Sequence, residues 1–466
     1  MKTHSQNQII GTSWSFKIVV FAASLLMADC VQAQSVVVTR LHNFSNLNAN
    51  ATTLALGKAD GVLYGTTYSD NTNGTIFSVN RDGSGYAVLH TFTAKDHLNT
   101  DSYNPGVGVP APFVIPGNDG YLYGTTPGGG ANNSGIAFRI NPNGSSFTLL
   151  NEFLSSEPGK NPSSVIQGTN GLLYGTSGNA LFVLTADGSG YSELYDFTND
   201  TDGSDPLDRL LQASDGLLYG TAFTGGTNGA GTVFKISTEG TGFTVLHAFG
   251  GAGDGQNPVA GLIQGSDDAL YGTTVAGGAG HHGTIFKINT NGSGYAVMHA
   301  FLGYTNNDGD YPLGELVQGV GNVLYGTTYL GGNLDGTIFR IGLDGSGYTS
   351  VYNFVGTGSV GTKPTSGLVQ GQSQNDIGVL YGTTGLTHGS IFAALVNPPA
   401  FITPVTAASA SNQLAIFWPA WAANYTLQST TNLASPNWSN VTDGVPVFGI
   451  QVTSTNPAVY YRLASP

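Results

Sequence analysis

Three sets of side chains in this chain have types and spacings that could do chemistry. The run Asp200-Thr201-Asp202-Gly203-Ser204-Asp205 puts oxygen ligands at alternate positions around a Gly, as a calcium (Ca2+) loop does, although a full loop needs a bidentate Glu or Asp further on. Equivalent segments carry Asp254-Gly255 and Asp308-Gly309 before a Pro, so we read a recurring turn and expect no cofactor, Ca2+ being the ion such a run could take. Arg209 and Glu315 share one position of a repeated segment whose other copies carry Thr53, Ser164, Gly261 and Gly367, and a charged pair there is the best candidate for ligand contact. Of the histidines, His42, His90, His247 and His299 fall in one repeated position where other copies have Asn151, Tyr195 and Tyr352, which marks them as structural. His97, His281, His282 and His388 remain. A zinc site from the last three would have to bridge non-adjacent repeats, so we expect no metal. No Gly-x-Ser-x-Gly, His-Glu-x-x-His or P-loop occurs, and no paired carboxylates form a local motif.

The elements that must position these groups are repeats. Leu-Tyr-Gly-Thr recurs with its Tyr at 64, 123, 174, 219, 271, 325 and 381. Around each copy lie the same β-rich phrases in the same order, clearest at 257 to 301: Asn-Pro-x-x-Gly-Leu-Ile-Gln-Gly, Leu-Tyr-Gly-Thr-Thr, Gly-Thr-Ile-Phe-Lys-Ile and Gly-Tyr-Ala-Val-Met-His-Ala-Phe. Gly, Asn and Asp separate them, as in Asp82-Gly83-Ser84-Gly85, and tolerate the positive φ that hairpin turns need. Four strands in each of seven copies predict an all-β, seven-bladed β-propeller over 34–397.

The two ends of the array complement each other. The seventh copy stops after Gly389-Ser390-Ile391-Phe392 without a fourth strand, and Val36 to Phe44 is a fourth strand without the other three. The N-terminal strand should therefore complete the last blade and close the ring, which removes unpaired strand edges. Aromatics repeat in four columns: the seven tyrosines; Phe77, Phe138, Phe182, Phe234, Phe286, Phe339 and Phe392; Tyr86, Phe147, Tyr191, Phe243, Tyr295 and Tyr348; and Phe44, Phe92, Phe153, Phe197, Phe249, Phe301 and Phe354. A residue type repeated in every blade fills the same packing site each time, so these are core. The Gly after each Tyr is expected to let a neighbouring sheet approach. Asp60, Asp119 and Asp215 read as turn formers before Leu-Tyr-Gly. Residues 398–466, with Trp418, Trp421 and Trp438 among alternating runs, predict a small C-terminal β-sandwich.

Lys2 and Lys17 precede an apolar run, Ile18 to Ala28, that is too short to span a bilayer, and Val31-Gln32-Ala33 fits a cleavage motif; residues 1–33 read as a signal peptide. Cleavage would remove Cys30, the one Cys, and with it disulfides and thiolate chemistry. With 14 basic against 28 acidic residues, net −14, the chain is ill suited to nucleic acid or anionic membrane surfaces, so we expect neither partner and no membrane insertion after signal removal. Disorder is excluded by 40% apolar and 11% aromatic residues with only 9% charged.

The phrases Leu-Ile-Gln-Gly, Leu-Tyr-Gly-Thr-Thr, Gly-Thr-Ile-Phe-Lys-Ile and Asp-Gly-Ser-Gly-Tyr resemble the tandem repeat of the choice-of-anchor GloVer-containing proteins, over about residues 36 to 396. The resemblance implies an exported bacterial protein whose C-terminal part varies between members and often attaches to a surface; it brings no catalytic residue. The C-terminal segment here, ending in Tyr460-Tyr461-Arg462-Leu463, lacks the apolar helix and basic tail of a sorting anchor. We expect a secreted or cell-surface, non-catalytic propeller binding a glycan or a surface protein through Asp200, Asp202, Asp205, Arg209 and Glu315 on the variable-loop face and channel mouth. The alternatives are an extracellular polysaccharide hydrolase or lyase with groups gathered from several blades, and a purely structural matrix component.

Overall fold

A computed structural model describes residues 36–396, apart from 45–49, 59, 70–71, 94–112, 156–158, 199, 307, 357–359, 372–377 and 386–388, and beyond 396 the backbones of five strands. The signal-peptide reading, His97 and His388 lie outside the described residues.

Seven antiparallel sheets ring a central channel, each running outward from an inner strand that lines it. Blade 4 is Leu211–Gln212, Leu218–Ala222, Thr232–Ile236 and Thr244–Ala248; blade 5 is Ile263–Gln264, Leu270–Thr274, Thr284–Ile288 and Ala296–Ala300; blade 6 is Val317–Gly319, Val323–Thr328, Thr337–Gly342 and Thr349–Asn353. Blade 7 takes its inner strands, Thr362–Pro364 and Val369–Gln370, and its middle strands, Val379–Gly385 and Ser390–Leu395, from the end of the array. Its outer strand is Val37–Asn43, paired antiparallel with Ser390–Leu395, as the missing fourth strand predicts. Phe44 N–H donates to the Gly389 carbonyl at 3.0 Å, just as Phe301 N–H donates to Gly283 at 3.0 Å in blade 5. The ring seam is thus chemically the same as an ordinary blade.

The repeated phrases each do one job. All seven Leu-Tyr-Gly tyrosines and the Phe77 to Phe392 column are buried. Each such tyrosine needs a partner for its hydroxyl, and in four blades an Asp four residues earlier supplies it: Tyr64 donates to Asp60, Tyr219 to Asp215 and Tyr271 to Asp267, each at 2.7 Å, and Tyr123 to Asp119 at 2.5 Å, while Asn170 donates to Tyr174 at 2.8 Å. Those acids are therefore more than turn formers. The expectation about the following Gly needs correction. A Cβ at Gly65 or Gly220 would meet the Phe77 or Phe234 ring of the next strand of the same blade, not a neighbouring sheet. The Thr after that Gly joins blades: Thr221 donates to Ala260 O and Thr327 to Ser366 O, both at 3.3 Å, and Thr383 closes the seam on Ala51 O at 3.2 Å. The Gln of Leu-Ile-Gln joins them at the other end of the inner strand, where Gln264 and Gln318 accept from Ser214 N–H and Ser266 N–H at 2.9 and 2.8 Å.

At the rim, the histidine column stacks on the ring that opens the next blade's outer strand. His42 lies 3.8 Å from Tyr86, His247 3.5 Å from Tyr295 and His299 3.4 Å from Tyr348 by ring centroids. Beyond the ring, Gln413–Phe417 pairs with Gly449–Thr453, and Thr426–Thr430 lies between Ser439–Asn440 and Tyr460–Ala464. The side chains on which the sandwich reading turns lie outside the described residues.

Candidate functional site

The inner strands enclose a channel of about 970 Å³. Position along the inner strand sets its chemistry. Ala55, Ile115, Ile166, Ile263, Val317 and Val369 give an apolar wall, while Lys58, Gln167, Gln264, Gln318 and Gln370 gather where the inner strands end. At the other end, where chain enters from the inter-blade loops, stand Thr53, Asp208, Arg209, Glu315, Thr365 and Ser366.

Arg209 and Glu315 form a bidentate pair, with Nε donating to Oε1 and Nη2 to Oε2. They belong to blades 4 and 6. They meet because the intervening residue of the column is Gly261, whose missing side chain leaves the space that the Glu315 carboxylate enters. Both residues line the channel, the Arg209 side chain 40% exposed and that of Glu315 13%. Asp208 is the third charged group. Its Oδ1 accepts Arg209 N–H at 2.7 Å and its Oδ2 accepts Gly261 N–H at 2.8 Å. Burial and then the neighbouring Glu315 carboxylate push Asp208 up to about 7, against the backbone donors and Arg209, which favour its ionised form.

A family model for the Gloeobacter/Verrucomicrobia repeat matches residues 30–180 and 177–392. The chain belongs to that family. No curated protein matches it. Solved structures match it at low identity. The extracellular domain of a putative hybrid two-component system from B. thetaiotaomicron is 12% identical with a TM-score of 0.49, the match covering 93% of this chain and 56% of that one. YCF48 from Cyanidioschyzon merolae is 10% identical with a TM-score of 0.48, over 77% and 98% of the two chains. A gluconolactonase from Xanthomonas campestris is 13% identical with a TM-score of 0.41, over 78% and 91%.

Within this Gloeobacter/Verrucomicrobia repeat array the candidate residues separate into two places. Asp200, Asp202 and Asp205 do not line the channel. Asp202 is buried, and its carboxylate accepts from Tyr195 Oη at 3.0 Å, Thr198 N–H at 2.9 Å and Thr198 Oγ1 at 2.7 Å. It is a latch on the preceding outer strand. Asp254 and Asp308 do the same for the outer strands of blades 4 and 5, taking His247 Nε2 at 2.9 Å and His299 Nε2 at 3.1 Å, and also bond the hydroxyls of Tyr295 and Tyr348 in the following blades. Asp205 accepts from Thr224 Oγ1 at 3.1 Å and sits at φ 55°, while Asp200 is exposed. His282 Nδ1 lies 2.9 Å from Asp310 Oδ1. Among the described residues no group of three or more His, Cys, Asp or Glu side chains could hold a metal ion.

Sequence reasoning missed Asp208. Its signal was available: the position before Arg209 carries Ser163, Ala260, Gly314 and Ser366 in other blades, so an acid there departs from the repeat as plainly as Arg209 does.

Proposed function

We propose that the protein is an exported, non-catalytic β-propeller that binds a glycan or a surface protein at the Arg209–Glu315 end of its channel. The observation that carries this reading is a division of labour. Repeated tyrosines, phenylalanines, threonines and glutamines are committed to packing and inter-blade bonds, whereas Asp208, Arg209 and Glu315 break the repeat and line a concavity of ligand size. Asp200 and Asp205 stay on the proposed binding face as exposed loop acids. Asp202, being latched, contributes by holding that loop. Export rests on the signal-peptide reading of residues 1–33; among the described residues, no helix is long and apolar enough to cross a membrane. A C-terminal β-sandwich over 398–466 is part of the same proposal.

A glycan array and a pull-down from cell-surface fractions, run on the parent, Arg209→Met and Glu315→Gln, test the reading. Ligand retained by the parent and lost by both variants supports it. Binding that survives both but disappears on replacing Trp418, Trp421 or Trp438 moves the site to the C-terminal segment.

One observation favours a second reading, a polysaccharide hydrolase or lyase. Asp208 and Glu315 converge from different blades, and an acid that titrates near neutrality suits proton donation. Both Glu315 oxygens are held by Arg209, however, which leaves no free second carboxylate to act as base or nucleophile. Release of reducing ends from a polysaccharide panel, abolished by Asp208→Asn, would establish this reading over binding.

A further inference from the structure

The loop end of the channel carries one positive charge too few. Asp208 and Glu315 bring two carboxylates and Arg209 one guanidinium, and both guanidinium nitrogens that bond a side chain go to Glu315. Asp208 has two backbone N–H donors and no side-chain cation bonded to it among the described residues. An anion entering here would add to a net negative site, while a neutral ligand would leave the imbalance as it stands. A metal ion would need more protein oxygens than the cluster supplies. The wall beyond is apolar, formed by Ile115, Ile166, Ile263, Val317 and Val369.

From this cavity and its charges we infer that the channel takes a primary ammonium on an alkyl stem, the ammonium bonding Asp208 and the methylenes lying along the apolar wall. The inference rests on the channel-binding reading above. A free diamine and a lysine side chain of a surface protein share this chemistry. Because an ammonium binds ionised Asp208 best, affinity should rise with pH through the neutral range in which that group titrates.

Isothermal titration of the full exported chain at pH 8 with cadaverine, Nα-acetyl-lysine methylamide and pentanol tests this. Both ammonium probes should bind and pentanol should not. Affinity should fall about tenfold or more between pH 8 and pH 5, as the ionised fraction of a group titrating near 7 declines. Asp208→Asn should weaken binding by a similar factor and remove the pH dependence while the melting temperature holds or rises. Binding of cadaverine alone assigns the site to a free diamine, and binding of the lysine amide assigns it to a protein partner. Equal binding of pentanol, or an Asp208→Asn variant that binds as the parent does, overturns the inference. A glycan lost on Glu315→Gln but indifferent to cadaverine overturns the ammonium assignment alone. Indifference of every ligand to every channel change removes the channel reading as well.

Discussion

Arg209 of blade 4 and Glu315 of blade 6 pair across blade 5 because Gly261, between them, has no side chain. A Cβ at Gly261 would collide with Glu315 Oε1 and stand 3.1 Å from the Arg209 carbonyl. Gly261→Ala is therefore expected to displace the flexible Glu315 and break the bidentate geometry while the blade stays folded. Glu315→Gln should cost between the roughly 3 to 5 kcal/mol of a broken buried pair and the roughly 0 to 1 kcal/mol of a surface one, since Arg209 is partly exposed. Chemical denaturation of the two variants and their double mutant measures the coupling. Additive effects would show that the glycine does not serve the pair.

Ring closure makes a second prediction. Deleting 36–44 strips blade 7 of its outer strand and of Phe44, which is 4% exposed. The truncated protein should expose a strand edge and aggregate. A monomeric product with unchanged melting temperature by light scattering and calorimetry would show that closure depends on something else.

Asp254 and Asp308 tie stability to acid. Burial raises both, but the bonds from His247 and Tyr295, and from His299 and Tyr348, outweigh it, so both titrate below the usual carboxylate range. A depressed carboxylate stabilises the fold above its unfolded value of about 4, and that stability is lost as pH falls through the folded value. Melting temperature should drop below about pH 4, and less steeply in Asp254→Asn and Asp308→Asn. Parallel acid profiles for parent and variants would refute the latch.

Asp208 has the opposite sign. Its folded value is raised, so the fold loses stability as pH climbs from about 4 toward about 7. Asp208→Asn, which keeps an oxygen for the Gly261 N–H, should be more stable than the parent at pH 8 and level with it below about pH 4. Urea titrations at the two pH values read this difference.

The repeated aromatics should behave as core. Phe286→Ala is expected to cost roughly 3 to 5 kcal/mol, as truncated buried aromatics do. Tyr271→Phe, which removes the hydroxyl's bonds to Asp267 and to the Leu343 carbonyl at 2.7 and 3.2 Å, should cost about 1 to 2 kcal/mol. Alanine at the exposed Asp200 should stay within about 0.5 kcal/mol. An equal loss at all three positions, by denaturant titration, would contradict the assignment of columns to core and loops to surface.

The blade count, the strand order, the N-terminal closure and three of the four aromatic core columns were legible in the amino-acid sequence, whereas the column from Tyr86 to Tyr348, read there as core, is only half-buried at the rim. Repetition made them so: seven copies of one four-strand unit show which positions never change type, and a site filled identically seven times is set by local pairing and packing. Even the missing strand of the seventh copy was visible, as an absence matched by Val36 to Phe44 at the other end. The tertiary structure decided what depends on two blades meeting. Only in the folded ring does Asp254 reach the hydroxyl of Tyr295, and Asp308 that of Tyr348, each beside the outer strand of the following blade. Only there do Asp208 and Glu315, 107 residues apart in sequence, come to one channel mouth with Arg209 between them. A repeat pattern identifies the odd residues out, but whether they meet depends on the angle between blades and on the space a glycine leaves, and neither is encoded in any single copy.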